Sequence, residues 1–184
     1  QLPVDLLKRV DTNHLDVVGS GWRMEEGKLI TAANSPSLLP IAAWMPPPFQ
    51  IEITAKRLTE SGALVLMLSG SETNHFMVLI DDLRGDLSLS AIGFGGNGRL
   101  RATRLSDHRI EMERPTELRV EVDVEGVALY VNERELNEPL LEYRGDVSRL
   151  EIAGGWRTPL VPCLVVATNK DASFEITRLT LREL

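Results

Sequence analysis

The chain has 184 residues, of which 43% are hydrophobic and 26% are charged, a composition typical of one globular domain with a sizeable core. Its formal net charge of −7 argues against nucleic acid as a partner, because phosphate binding needs a basic surface. The single cysteine, Cys163, excludes an intramolecular disulfide bond and lies in an apolar run, where we expect it to be buried. No apolar stretch is long enough to span a membrane, so we expect no membrane insertion.

Short segments of alternating polarity, separated by turn residues, predict an all-β fold. The first element, Val4–Val10, is compatible with either a short helix or an edge strand. Further along the chain, strands are predicted at intervals of about ten residues, which is typical of two packed antiparallel sheets. They are Lys28–Thr31, Phe49–Arg57, Ala63–Ser69, His75–Asp82, Leu87–Phe94, Leu100–Leu105, Glu117–Val124, Val127–Asn132, Leu150–Ala153, Cys163–Thr168 and Ser173–Glu183.

The last predicted strand shows the clearest alternation between inward and outward positions. Phe174 and Ile176 share one parity, whereas Leu179 and Leu181 have the other. All four side chains can face the core only if one extra residue is inserted, so we predict a β-bulge near Thr177–Arg178. We expect this strand to pair with an N-terminal strand and so to close the sandwich.

Three stretches of the chain resemble known jelly-roll domains. Asp5–Ile30, with a leucine pair, a short turn and a Gly-Trp element before a strand, resembles the opening of jelly-roll domains in planctomycete-type bacterial proteins. Leu118–Glu133 resembles the hairpin of laminin-G and concanavalin A-like domains, in which a valine-rich strand and a Gly turn precede a second strand. The stretch from Leu150 to the last strand resembles the closing loop and final strand of that family. One departure is Asn132–Glu135, which lacks the glycine usual at the second turn.

The resemblance implies an antiparallel two-sheet jelly-roll sandwich of the concanavalin A-like type, formed as one domain by residues 1–184. Because the sequence begins with Gln1 and has no initiator Met, we expect a fragment of a larger protein, for which an extracytoplasmic location is plausible. The wider group includes lectins, glucanases, a family described as keto-disaccharide hydrolases, and noncatalytic modules. The fold therefore does not choose among these functions.

The sequence Glu-Val-Asp-Val-Glu at positions 121–125 is similar to the E-x-D-x-E active-site motif of the glucanases. That resemblance implies that Glu121 is the nucleophile, Asp123 the helper carboxylate and Glu125 the acid/base. Retaining hydrolysis needs two carboxyl groups about 5–5.5 Å apart. On a regular strand, positions i and i+4 are roughly 13 Å apart at Cα, so these side chains would have to lean toward each other.

The residues after the motif favour a different interpretation. Glu125–Gly126 is predicted to be a hairpin turn, because the apolar pattern restarts at Val127. Val120, Val122 and Val124 are then expected to face the core, and the acidic residues to form a solvated face. The hairpin interpretation is the one that we prefer over an active site.

The loop tryptophan Trp156 is the first candidate for ligand binding. It stands beside two glycines, and aromatic rings on loops of such sandwiches stack against the faces of sugars. Arg157 and either Asn97 or Asn169 could supply hydrogen bonds to the same ligand. Packing against the protein is the alternative role for this indole.

The other two tryptophans are expected to be structural. Trp22 follows a glycine and precedes a strand, and the family resemblance places it in the core. Trp44 precedes the stiff loop Pro46–Pro48, and we expect its side chain to pack under that loop. Neither position suggests a ligand contact.

Two further motifs could hold a cofactor. Asp81, Asp82 and Asp86 surround a turn and could bind calcium through hard oxygen ligands, although a solvated hairpin tip is the preferred interpretation. Gly93–Gly98 reads G-x-G-x-x-G, but a dinucleotide site needs a helix to follow, and the residues that follow alternate like a strand. We therefore expect no cofactor, with calcium as the alternative.

Three functional hypotheses remain at this stage. The first is a noncatalytic binding or accessory module for carbohydrate or for a cell-envelope partner, with a carbohydrate or protein ligand. The second is a glycoside or keto-disaccharide hydrolase that uses a carboxylate pair. The third is a structural spacer domain.

Overall fold

In the computed structural model, the residues described are 2–13, 17–33, 37–72, 74–84, 86–95, 98–132, 138–152, 156 and 163–184. These ranges contain two 3₁₀ helices, Leu7–Arg9 and Val147–Arg149, and fourteen β-strands. The strands are β1 (Val4–Asp5), β2 (Arg23–Glu25), β3 (Lys28–Ile30), β4 (Ser37–Ile41), β5 (Phe49–Arg57), β6 (Leu64–Ser69), β7 (His75–Arg84), β8 (Leu87–Phe94), β9 (Leu100–Ser106), β10 (Thr116–Asp123), β11 (Gly126–Val131), β12 (Leu141–Arg144), β13 (Leu164–Thr168) and β14 (Phe174–Glu183).

The strands form two antiparallel sheets. The first sheet has the order β12-β11-β10-β5-β14-β3-β2, and β1 also pairs with β14. The second sheet has the order β4-β13-β6-β7-β8-β9. The predicted all-β jelly-roll sandwich is thereby confirmed. In the described part of the chain, no helix is long and apolar enough to cross a membrane.

The main hydrophobic core lies between the two sheets. Alternate residues of the long strands point into it, such as Ile51 and Ile53 on β5 and Val120 and Val122 on β10. Fully burying one such aliphatic side chain contributes about 1.5–3 kcal/mol. The intervening residues of β5 and β10 are mostly polar and point outward. The first sheet therefore has one face in the core and one face toward solvent.

A second apolar cluster lies on the outer face of the second sheet. All six residues of β6 are buried, because Leu66 points into the main core while Val65 and Met67 belong to the second cluster. Such a strand reads as a continuous apolar run, as expected where both faces are covered. The rest of the cluster consists of Leu38, Ala63, Met77, Cys163, Val165 and Ala167, with Val18, Leu79, Phe94, Ile152 and Trp156 packed against it.

A buried ion pair joins the two sheets at the end of β5. The Arg57 Nη2 and Asp81 Oδ2 atoms are 2.7 Å apart, and both side chains are 2% exposed. Asp81 has a φ of 60° at the bulge in the β7–β8 pairing, and its Oδ2 also accepts the Ile110 N–H. Burial raises the pKa of the Asp81 carboxyl, against the opposing effect of Arg57. The pair fixes how β5, β7 and the segment before β10 meet, since each charge is surrounded by protein.

Most predicted strands are confirmed, and β5 and β8 have the predicted bounds. The predicted bulge is found between Ile176 and Arg178, and β14 pairs with β1 and β3 as expected for the closing strand. Gly93–Gly98 is followed by β9 and not by the helix that a dinucleotide-binding motif requires, as the alternation of the following residues predicted. The predicted strand Leu150–Ala153 is wrong. The described residues there make only one bridge, from Glu151 to Phe94, after a 3₁₀ helix.

Three short strands were not predicted: β2, β4 and β12. Val4–Val10 divides into β1 and a 3₁₀ helix, so each alternative describes one half of this stretch. β4 contains Pro40, which a strand tolerates at the edge of a sheet, and β4 is the edge of the second sheet. A strand of three or four residues, or one interrupted by proline, shows too little alternation of polar and apolar residues to be recognised in the sequence.

The expected positions of two apolar side chains are confirmed, and a third side chain is partly exposed. Trp22 is buried in the core and donates its Nε1–H to the Val18 carbonyl oxygen at 3.2 Å. Cys163 is also buried. Trp44 is 39% exposed, whereas the next residue, Met45, is packed against the core.

Candidate functional site

The hairpin of β10 and β11 carries the Glu-Val-Asp-Val-Glu motif. Asp123 pairs with Gly126, which leaves Val124 and Glu125 as the turn. The predicted hairpin is confirmed, but its turn lies one residue earlier than predicted. Val124 is 57% exposed at this turn, so its predicted core position is wrong, whereas the two preceding valines of β10 are buried as predicted.

The outer face of β11 carries small side chains at the two positions nearest the hairpin turn. Ala128 lies opposite Glu121 on β10 and opposite Glu142 on β12. Because a single methyl group stands between two long side chains, the three strands form a slot with Ala128 on its floor. Gly126 continues this floor, and a Cβ at that position would lie 2.8 Å from the Tyr143 carbonyl oxygen, so the close approach of β12 requires glycine there.

The slot has a volume of about 310 Å³, and five of its twelve lining residues are charged. Glu121 and Asp123 form the wall on the β10 side, and Glu142 and Arg144 form the wall on the β12 side. Glu125 lies at the hairpin end. Four carboxylates and one guanidinium therefore line this slot, an arrangement that offers many hydrogen-bond acceptors and few donors.

Tyr130 marks the other end of the slot. The guanidinium carbon of Arg119 lies 3.9 Å from the centroid of its ring, and the phenol donates a hydrogen bond to Glu121 Oε2 at 3.3 Å. Arg119 Nη1 also lies 3.1 Å from Glu121 Oε1. Burial raises the pKa of Tyr130, and the negative charge of Glu121 raises it further. The three side chains thus hold one another in place at the base of the β10 wall.

The structure changes the interpretation of the E-x-D-x-E motif. Glu121, Asp123 and Glu125 all line the slot. Asp123 and Glu125 are also exposed, as expected for a solvated face, whereas Glu121 is half-buried. Glu125 stands in the hairpin turn and also lines the slot. Glu142 faces Glu121 across the slot and is itself paired with Arg144 at 3.0 Å. The carboxylates of both walls are oriented by neighbouring groups.

The residues predicted around Trp156 have structural contacts. Trp156 is half-buried and packs against the second apolar cluster. Asn169 accepts the Ala63 N–H through its Oδ1 atom at 2.6 Å. Arg157 and Asn97 lie outside the residues that the structure describes. A ligand-binding role for these four residues stays a prediction.

Of the three aspartates considered for calcium, two form ion pairs with basic side chains and the third is exposed. Asp81 pairs with Arg57, and Asp82 accepts from Lys170 Nζ at 2.9 and 3.0 Å. Both are buried, so they do not form the solvated tip that we preferred, whereas Asp86 is exposed. Within the described ranges, no three His, Cys, Asp or Glu side chains are grouped so that they could hold a metal ion.

Sequence reasoning did not identify the β12 wall or the small floor. The signal for the floor was present in Gly-Val-Ala-Leu-Tyr-Val, where every second residue faces outward and the first two of these are small. The wall was missed because β12, Leu141–Arg144, is too short to be recognised as a strand. Its partner Glu142 could therefore not be placed opposite Glu121.

Comparisons with known proteins place this architecture among galectin-like sandwiches. No protein-family model and no curated protein sequence matches the chain. A protein of unknown function with a galectin-like fold from Bacillus subtilis superposes with a TM-score of 0.70 at 9% identity, covering 99% of this chain and 98% of that chain.

Two further solved structures belong to proteins with named roles. The carbohydrate-binding module CBM66 from Bacillus subtilis has a TM-score of 0.62 at 13% identity, covering 91% of this chain and 94% of that chain. A β-1,3-glucanase from Mycobacterium marinum has a TM-score of 0.52 at 11% identity, covering 85% of this chain and 75% of that chain. At such identities the likeness establishes the fold alone, which is a galectin-like jelly roll shared by binding modules and enzymes.

Proposed function

We propose that this protein is a noncatalytic module that binds carbohydrate in the slot over β11. The observation that carries the proposal is the slot itself, in which glycine and alanine form the floor and carboxylates form the walls. Sugars present many hydroxyl donors, and carboxylates are acceptors for them. The likeness in fold to CBM66, a carbohydrate-binding module, supports the same conclusion.

The arrangement of the carboxylates supports binding more than hydrolysis. Glu121 and Glu142 lie two strands apart, which corresponds to roughly 10 Å between their Cα atoms. Each carboxylate is in an ion pair with an arginine. Fixed acceptors on two facing walls suit recognition of a ring held between them. An accessory role in a larger bacterial or cell-envelope protein belongs to this proposal.

Filling the slot provides the direct test. Ala128→Leu places a larger apolar side chain on the floor while leaving the core-facing residues of β11 unchanged. We expect at least a tenfold loss of affinity for neutral oligosaccharides in isothermal titration calorimetry, after a glycan array has identified a ligand. Unchanged affinity in this variant would contradict the proposed site.

A matched control makes the outcome specific. Thr54→Leu introduces the same side chain on the outward face of β5, away from the slot lining, and should leave affinity unchanged.

Trp156→Ala tests the prediction that the ligand sits at the loop instead. If only Trp156→Ala weakens binding, the site lies there. If the protein retains no glycan on an array, the spacer hypothesis is favoured.

Hydrolysis is the second candidate, and one observation favours it. Glu121, Asp123 and Glu125 of the glucanase-like motif share one concave surface. This candidate includes the resemblance to the keto-disaccharide hydrolase family. It predicts that Glu121→Gln abolishes release of reducing sugar from a bound oligosaccharide while binding persists. Absence of any turnover by the unmodified protein on every glycan that it binds would reject it.

A further inference from the structure

The charges that line the slot distinguish between classes of sugar. Four carboxylates line it against one guanidinium, that of Arg144. Arg119 balances one more charge by pairing with Glu121, yet an excess of two negative charges remains (four acids against two arginines). A ligand with positive charge would gain from this excess, and an anionic ligand would be repelled.

We propose that the slot selects sugars with free amino groups over their N-acetylated and acidic counterparts. This proposal rests on the proposed function. An ammonium group above Ala128 would lie between Glu121 and Glu142, which face each other across that methyl group. It offers three donors, and each wall offers a carboxylate acceptor. Acetylation removes the charge and two of those donors.

Arg144 makes it possible to test whether charge determines the binding of an amino sugar. Its Nε lies 3.0 Å from Glu142 Oε1, and its side chain is largely exposed. It therefore competes with a bound ammonium group for the same carboxylate. Removing the guanidinium should strengthen binding of an amino sugar, whereas removing the carboxylate of Glu142 should weaken it. A slot that recognised hydroxyl groups alone would not show opposite signs for these two neighbours.

The magnitude follows from ordinary ion-pair energetics. A solvent-accessible pair contributes up to about 1 kcal/mol, which corresponds to about a fivefold change in affinity. We expect oligomers of β-1,4-glucosamine to bind about fivefold or more tightly than N-acetylated oligomers of equal length. The difference should shrink as salt is raised, since screening weakens exposed charge pairs.

The experiment measures affinity by isothermal titration calorimetry at slightly acidic pH, where sugar amines are protonated and carboxylates are ionised. The probes are glucosamine oligomers, N-acetylated oligomers and oligogalacturonate of matched length. The protein variants are Glu142→Gln, Arg144→Gln and, as a control, Glu117→Gln, which removes an exposed carboxylate from β10 outside the slot.

We expect Glu142→Gln to weaken glucosamine binding about fivefold, Arg144→Gln to strengthen it by a similar factor, and Glu117→Gln to leave it within twofold. If glucosamine oligomers bind no more tightly than N-acetylated oligomers, or no more tightly than oligogalacturonate, the charge selectivity is overturned while carbohydrate binding stays intact. Failure of all three oligomers, with a neutral glycan binding and Ala128→Leu abolishing it, would also overturn the selectivity alone. If no glycan binds at all, the proposed function itself fails.

Discussion

The outer faces of the two sheets differ in what covers them. On the second sheet, Val65 and Met67 face outward yet are fully buried, and they belong to an apolar cluster against which Val18, Ile152 and Trp156 pack. On the first sheet, the outward residues are mostly charged, and around β11 they enclose an open slot. One face therefore serves as a second core, and the other is available to a ligand. Substitutions on the two faces should accordingly affect different properties.

The largest effect should come from the buried pair that joins the two sheets beneath both faces. Asp81→Ala leaves the Arg57 guanidinium buried without its counterion, which should cost about 3–5 kcal/mol of unfolding free energy. Chemical denaturation followed by circular dichroism measures this loss. A loss below about 1 kcal/mol would show that the difference between the faces does not depend on this connection.

The covered face should be sensitive to loss of volume. Met67→Ala removes a fully buried side chain and should cost about 2–5 kcal/mol, because a cavity remains in the second cluster. Thr180→Ala, on the outward face of β14, should change stability by no more than about 0.5 kcal/mol. Similar losses for both variants in urea unfolding would remove the distinction between the faces.

Trp156 should behave as part of the covered face. Its indole is half-buried, so Trp156→Ala should cost about 2 kcal/mol, less than the ~3–5 kcal/mol of a fully buried tryptophan. Glycan affinity at a temperature where the variant is folded should be unchanged. Preserved stability with lost affinity would instead assign the ligand to the loop.

The smallest expected effect is a change in the pKa of Tyr130, which lies on the open face. Glu121→Gln should lower the pKa of Tyr130, because the negative charge that opposes phenolate formation is removed. Burial should still hold that pKa above the ordinary value. Ultraviolet titration in a Tyr143→Phe background, which leaves Tyr130 as the only tyrosine, measures the shift. An unchanged midpoint would mean that the Glu121–Tyr130 contact at the slot is absent in solution.

The fold was more accessible to sequence reasoning than the site. Long strands such as β5 and β14 alternate over nine or ten residues, so their bounds could be predicted to within one residue, as could the bulge after Ile176. The site depends on which strands become neighbours. Glu121 and Glu142 are far apart in the sequence, and only the pairing of β11 with the short strand β12 brings them across from each other.

The same limit explains the incorrect prediction for Asp81 and Asp82. Their sequence context, two adjacent aspartates followed closely by Gly85 and Asp86, is typical of an exposed turn. The cations that meet them, Arg57 and Lys170, come from β5 and from the turn before β14. Local composition cannot predict a partner supplied by a distant strand.

The separation of faces along β11 makes the slot adjustable. Its core-facing valines and leucine carry the packing, whereas Ala128 carries only the depth of the slot. Gly126 is fixed by the close approach of Tyr143, so position 128 is the single floor residue open to variation. A library at that one codon, combined with changes on the two walls, should alter what the proposed site accepts with little penalty in folding.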